Sequence, residues 1–202
     1  MQVTVIPSDV KGSVHANPSK SHAQRAVAIA ALAEGETELR DIGRSEDVTA
    51  AIEVARHICP RIERTGDTLA IHGGRRLSSR TWHCRESGFS LRAYTAIAGL
   101  FDETITLTGE GSLGTRPVDF MRAPIEKLGG RFTTSQGSLP ITVTGPISAG
   151  IAEVDGALSS QFLSGLLMTL PLLEGNSQLH VNNLRSKPYV DLTLATMSSF
   201  GV

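Results

Sequence analysis

Three stretches of the chain are apolar almost without interruption: Ala26–Ala33, Ala93–Phe101 and Phe162–Leu173. A helix that is apolar on all sides is a buried helix, so each stretch predicts an interior helix. A small polar cluster precedes each one: Ser19-Lys20-Ser21, Ser87-Gly88-Phe89-Ser90 and Ser159-Ser160-Gln161. Each stretch then meets Glu34-Gly35, Asp102-Glu103 or Glu174-Gly175 and gives way to an alternating, strand-like run, at Thr37–Ile42, Thr104–Thr108 and Gln178–Val181. Amphipathic helical patterns follow at Asp47–Ile58, Val118–Leu128 and Val190–Phe200. The first two segments close with two short strands each. In the second, Gly129-Gly130 leads into Arg131–Thr134, and Pro140–Thr144 follows.

This is an internal repeat of roughly 70 residues, longer than the usual solenoid periods. It reads β-α-β-α-β-β, which predicts an α/β (α+β) fold. One lobe covers 16–202, with units at about 16–80, 81–148 and 149–202. The third unit stops at Gly201-Val202, where its hairpin is expected, so the chain reads as a piece of something longer. Approximate threefold symmetry would set the three buried helices parallel, with their starts on one face. Unpaired N–H groups and the positive dipole ends would make that face an anion site. A serine at a helix start is also simply a cap, and for any single serine the pattern leaves both readings open.

Composition narrows the function classes. Lys+Arg 19 against Asp+Glu 20 gives a net charge of −1, and aromatics are only 4%. Neither a basic nucleic-acid face nor a base-stacking platform is expected. Cys59 and Cys84 are too few for a disulfide framework and have no zinc-like spacing, so they read as free thiols of a reducing compartment. The start of the chain shows no basic leader followed by an apolar run. Its longest apolar stretch is interrupted by Ser164, Gly165 and Pro171 and falls short of the roughly 20 residues a membrane span needs. A cytoplasmic protein is expected, with neither nucleic acid nor membrane as a partner.

The densest chemistry lies at Asn17-Pro18-Ser19-Lys20-Ser21-His22-Ala23-Gln24-Arg25, where a lysine and an arginine flank a serine-rich helix start. Such a set holds a phosphate or carboxylate through charge-assisted hydrogen bonds, and it equally describes a solvated helix end. The six histidines are scattered without ligand spacing, so no metal site is expected. Gly73-Gly74 and Gly109–Gly114 read as turns, and neither ends in the Gly-Lys-Ser/Thr of a nucleotide P-loop. No Ser-His-Asp triad is legible.

The Pro-Ser-Lys-Ser-x-x-x-Arg segment resembles the N-terminal signature of EPSP synthase (3-phosphoshikimate 1-carboxyvinyltransferase). So, in the right order, do Ser87-Gly88-x-x-x-Arg92, Leu107-Thr108-Gly109-Glu110 running to Arg116-Pro117, Ser159-Ser160-Gln161-Phe162-Leu163, and Ser186-Lys187-Pro188-Tyr189-Val190-Asp191. The likeness spans essentially the whole chain and about the first half of a typical member, which carries six such units in two lobes. It implies the inside-out α/β barrel lobe of the enolpyruvyl transferases, with 1–15 a strand and crossover belonging to the second, missing lobe. It also implies transfer of an enolpyruvyl group from phosphoenolpyruvate to the 5-hydroxyl of shikimate 3-phosphate, with no cofactor.

Carried over position by position, the resemblance puts Lys20 on both substrates. Ser21 and Arg25 would hold the shikimate ring and carboxylate, Ser159, Ser160 and Ser186 its phosphate, and Tyr189 would lie beside it. Gly88, Arg92 and Arg116 would surround the phosphoenolpyruvate phosphate, with Gln161 bridging the two ligands. Lys20 and Asp47 are the catalytic candidates, Asp47 also reading as a plain helix cap. The main acid–base groups are expected on the other lobe, so this chain alone should bind shikimate 3-phosphate and turn over nothing.

Where the family usually has Asn-(Ala/Ser)-Gly-Thr, this chain has Glu86-Ser87-Gly88-Phe89. The substitutions predict a reshaped phosphoenolpyruvate pocket, unless both side chains point away from it. The rival readings are a UDP-N-acetylglucosamine enolpyruvyl transferase, a non-catalytic anion-binding module and a relative of RNA 3′-phosphate cyclase. The first would want a reactive cysteine, and neither Cys59 nor Cys84 lies in a matching context.

Overall fold

Small side chains allow the first helix to be buried. In the computed structural model, which describes residues 2–202, α1 (Lys20–Leu32) is buried without a break from Ala23 to Leu32. Its alanines let neighbouring backbones approach. A Cβ built at Gly73 would collide with the carbonyls of Ala30 and Ala33 at the end of this helix. The other two apolar stretches become α3 (Gly88–Ala98) and α5 (Ser160–Thr169), which pack closely on each other. At their crossing a Cβ on Gly165 would lie 2.6 Å from the Ala93 carbonyl oxygen and 2.7 Å from its Cα, so only glycine fits.

Three small sheets surround these helices. In the first, β1 (Gly35–Leu39), β2 (Arg61–Thr65) and β3 (Thr68–Gly73) run antiparallel in the order β1-β3-β2. In the second, β4 (Thr81–His83) lies parallel to β5 (Thr104–Thr108), and β7 (Ser138–Thr144) and β6 (Arg131–Ser135) follow antiparallel. The third pairs β8 (Ile151–Asp155) with β9 (Gln178–Asn182) in parallel. Register sorts the faces of the second sheet. Ile105 opposes Val143 and Leu107 opposes Ile141 in the core, while Thr104 and Thr144 face each other on the outer side with hydroxyls 3.0 Å apart. Gln136 and Gly137, at φ 52° and 80°, make the tight turn between β6 and β7.

The amphipathic patterns become α2 (Glu46–Ala55), α4 (Arg122–Lys127) and α6 (Lys187–Ser199). The helix expected over Val118–Leu128 is broken into a 3₁₀ turn at Asp119–Met121 and the six residues of α4. Pro124 has no N–H to give the Phe120 carbonyl one turn back, and Gly129, at φ 92°, ends the run. The expected β-α-β-α-β-β order is complete in the middle segment, as β4-α3-β5-α4-β6-β7. The first segment lacks the leading strand, and the last comprises β8-α5-β9-α6.

Residues 2–19 form neither helix nor strand, and the strand expected within 1–15 was assigned to a second lobe, whose partner strands are not among the described residues. Val3, Val5, Ile6, Val10 and Val14 are exposed, and a strand needs a partner ladder that these residues do not find among the described residues. No helix of the described residues is long and apolar enough to cross a membrane.

Candidate active site

The starts of α1, α3, α5 and α6 open onto one cavity of about 570 Å³. Three of these starts are capped by serines. Ser19 accepts from the His22 N–H, Ser87 from Ser90 and Ser159 from Phe162, at 3.1–3.3 Å. The bland reading of these serines is therefore correct for their acceptor lone pairs. Ser159 nonetheless lines the cavity.

All twelve expected residues border this cavity. From α1 and α2 come Lys20, Ser21, Arg25 and Asp47; from α3 and the turn after β5, Gly88, Arg92 and Arg116. The α5 and α6 starts contribute Ser159, Ser160, Gln161, Ser186 and Tyr189. Asp47 is not the helix cap, since Ser45 fills that role by accepting from the Val48 N–H. The Asp47 carboxylate instead takes the Lys20 ammonium at 2.6 Å.

The four cations differ in their surroundings. Arg25 is 2% exposed, and burial pulls its pKa down to about 10, which leaves it charged at neutral pH. Its N–H groups reach only neutral oxygens: Nε donates to Thr193 Oγ1 at 2.7 Å, Nη1 to the Ser21 carbonyl at 2.8 Å and Nη2 to Ser164 Oγ at 3.1 Å. The guanidinium lies 4.9 Å from the Phe89 ring centroid and 5.8 Å from that of Tyr189. Arg92 is half-buried and donates to Gln161 Oε1 at 2.8 Å, while its Nε is buried with no partner among the described residues. Burial first, and then the neighbouring Arg116, lower its pKa. Gly88 brings the two arginines together, since a Cβ there would lie 2.8 Å from Arg92 Nη1 and 3.5 Å from Arg116 Nη1.

The half-buried Arg92 and the exposed Arg116 are like charges without an acid between them; they repel, and a polyanion offsets that repulsion.

Both unusual residues of the α3 loop border the cavity. Phe89 is buried against Arg25, and Glu86 accepts from the Ser112 N–H at 3.3 Å. Ser112 Oγ in turn accepts from Arg116 Nη2 at 3.0 Å, so Glu86 steadies the turn from which Arg116 reaches the cavity.

Sequence reasoning passed over Gln24, Ser164 and Thr193. Gln24 Nε2 donates to Ser87 Oγ at 2.9 Å and to the Asp47 carbonyl at 3.1 Å, tying three helix starts together. Ser164 did carry a signal, because a hydroxyl inside a wholly buried helix needs a partner. Cys59 and Cys84 are buried and lie away from the cavity, and burial pushes the Cys59 thiol up to about 11 and that of Cys84 higher still. Among the described residues no His, Cys, Asp and Glu cluster could hold a metal ion.

Residues 5–202 match the family model described as EPSP synthase (3-phosphoshikimate 1-carboxyvinyltransferase). A 3-phosphoshikimate 1-carboxyvinyltransferase of Methanocorpusculum labreanum is 36% identical, matching 100% of this chain and 49% of its own length. One from Clostridium novyi is 39% identical, over 99% of this chain and 49% of its own length. The chain thus spans about half the length of these curated relatives. Among solved structures, an EPSP synthase from Acinetobacter baumannii superposes with a TM-score of 0.74 at 25% identity, covering 83% of this chain and 40% of the other.

Proposed function

The chain belongs to the EPSP synthase family, and from that membership we propose that its cavity holds the two phosphorylated substrates of enolpyruvyl transfer. The observation that carries the reading is the convergence of Lys20, Arg25, Arg92 and Arg116 on four helix starts, with Arg92 and Arg116 facing each other unneutralised.

Lys20, Ser21 and Arg25 hold the ring and carboxylate of shikimate 3-phosphate, and Tyr189 borders it. Ser159, Ser160 and Ser186 take its phosphate. Gly88, Arg92 and Arg116 take the phosphate of phosphoenolpyruvate. Lys20 and Gln161 reach both ligands, which places the 5-hydroxyl beside C2 of phosphoenolpyruvate. The hydroxyl oxygen adds to C2, its proton leaves to a base and the methylene carbon gains a proton. The tetrahedral adduct then loses phosphate and a methyl proton to give the enol ether. The cations stabilise the phosphates throughout, and the Lys20–Asp47 pair sits where protons move. Further acid–base groups come from a second lobe closing over this face, which excludes water from the reacting pair. Soluble phosphate esters as substrates fit a cytoplasmic enzyme.

Calorimetric titration of the chain tests the reading. Shikimate 3-phosphate binds saturably without turnover, and Lys20→Ala weakens it at least about tenfold, the value of one charge-assisted hydrogen bond. Absence of saturable binding, or equal binding by the variant, would overturn it.

A further inference from the structure

Thr193 lies outside the cavity lining yet makes the shortest bond to the most deeply buried cation in it. A buried guanidinium without a counter-charge is costly, and hydrogen bonds must satisfy it and fix its plane. The Arg25 guanidinium carbon lies over the Phe89 and Tyr189 rings, which accept no conventional hydrogen bond, so its N–H groups must be met by other partners. One edge meets a fork of two hydroxyls, Thr193 Oγ1 at 2.7 Å from Nε and Ser164 Oγ at 3.1 Å from Nη2, with the two oxygens 2.8 Å apart. The Ser21 carbonyl takes one N–H of Nη1. Of the five N–H groups that an arginine carries, two are then left.

The fork is itself anchored. The Thr193 hydroxyl donates to the Tyr189 carbonyl at 2.9 Å, which leaves a lone pair to accept from Arg25 Nε. The Ser164 hydroxyl has the Ser160 carbonyl at 2.8 Å. Both carbonyls belong to cavity residues at the starts of α6 and α5. Thr193 is fully buried and has no other polar role.

We infer that Thr193 is a positioning residue, which holds the Arg25 guanidinium so that its two remaining N–H groups meet the carboxylate of the bound shikimate ester. The inference rests on the reading of the cavity proposed above.

Titration of the 202-residue chain with shikimate 3-phosphate and, separately, with inorganic phosphate tests it. Thr193→Val keeps the shape and removes the acceptor. It is expected to weaken shikimate 3-phosphate about tenfold, as loss of one charge-assisted bond does. It should leave inorganic phosphate within about twofold, since that ligand has no carboxylate. Thr193→Ser restores the affinity. Should Thr193→Val fail to fold, Ser164→Ala removes the other arm of the fork and is expected to show the same selective loss. Undiminished binding by the variant, or equal loss of both ligands, overturns the inference and leaves the cavity reading standing. Failure of the parent chain to bind either ligand sinks both.

Discussion

Gly88 is the residue on which the cationic end of the cavity turns. A methyl group there would sit 2.8 Å from Arg92 Nη1 and 3.3 Å from Gln161 Oε1, both at the ends of flexible side chains. Gly88→Ala should therefore fold normally, because the side chains yield and alanine suits a first helical turn. Its effect falls on the Arg92–Gln161 bond, and affinity for phosphoenolpyruvate is expected to drop about tenfold in a direct titration. An unchanged affinity would mean that the two side chains find an equivalent arrangement. Lys20 and Arg25 were legible in the sequence because they flank a serine-rich helix start, whereas Arg92, Arg116 and Asp47 entered as site members only through the resemblance. Gln24 and Thr193 were not legible, since their partners are far along the chain: Ser87 for the first, Arg25 for the second. A hydrogen bond between distant segments leaves no local pattern.

At the scale of elements, the α3–α5 crossing has the least tolerance. Gly165→Ala puts a methyl group 2.6 Å from the Ala93 carbonyl oxygen, and here the obstacle is backbone that cannot swing aside. Overpacking of this kind costs about 1–3 kcal/mol, more than the roughly 1 kcal/mol that alanine gains over glycine in a helix. Thermal unfolding should show a midpoint lower by a few degrees, and a rise would disprove the close approach. Hydrophobic period alone identified these buried helices, because apolar residues on every side leave no other location. It did less well at ends. The run Thr37–Ile42 gave a strand that starts two residues late and ends three residues late, since β1 pairs only where β3 lies beside it, from Gly35 to Leu39. The 118–128 pattern has the right amphipathic period, but Pro124 limits its α-helical part to α4.

Across the whole molecule, charge is segregated. The cavity is bordered by four cations and two carboxylates, while the chain as a whole carries a net charge of −1. A positive cleft in a slightly acidic body draws anions toward the helix starts and leaves the rest of the surface unattractive to them. Binding of shikimate 3-phosphate should accordingly weaken severalfold as ionic strength rises from about 0.05 to 0.5 M, since screening shortens to a few ångströms. Salt-independent binding would point to contacts other than charge. The bonds beneath the cleft run from segment to segment: Gln24 to Ser87, Arg92 to Gln161, and Arg25 to Ser164 and Thr193. Changes at these positions will not act independently, because each alters the geometry that its neighbours rely on. Homologues that drift here must drift in concert, and a residue transplanted alone from one family member to another will often look harmful where it arose as a benign half of a pair.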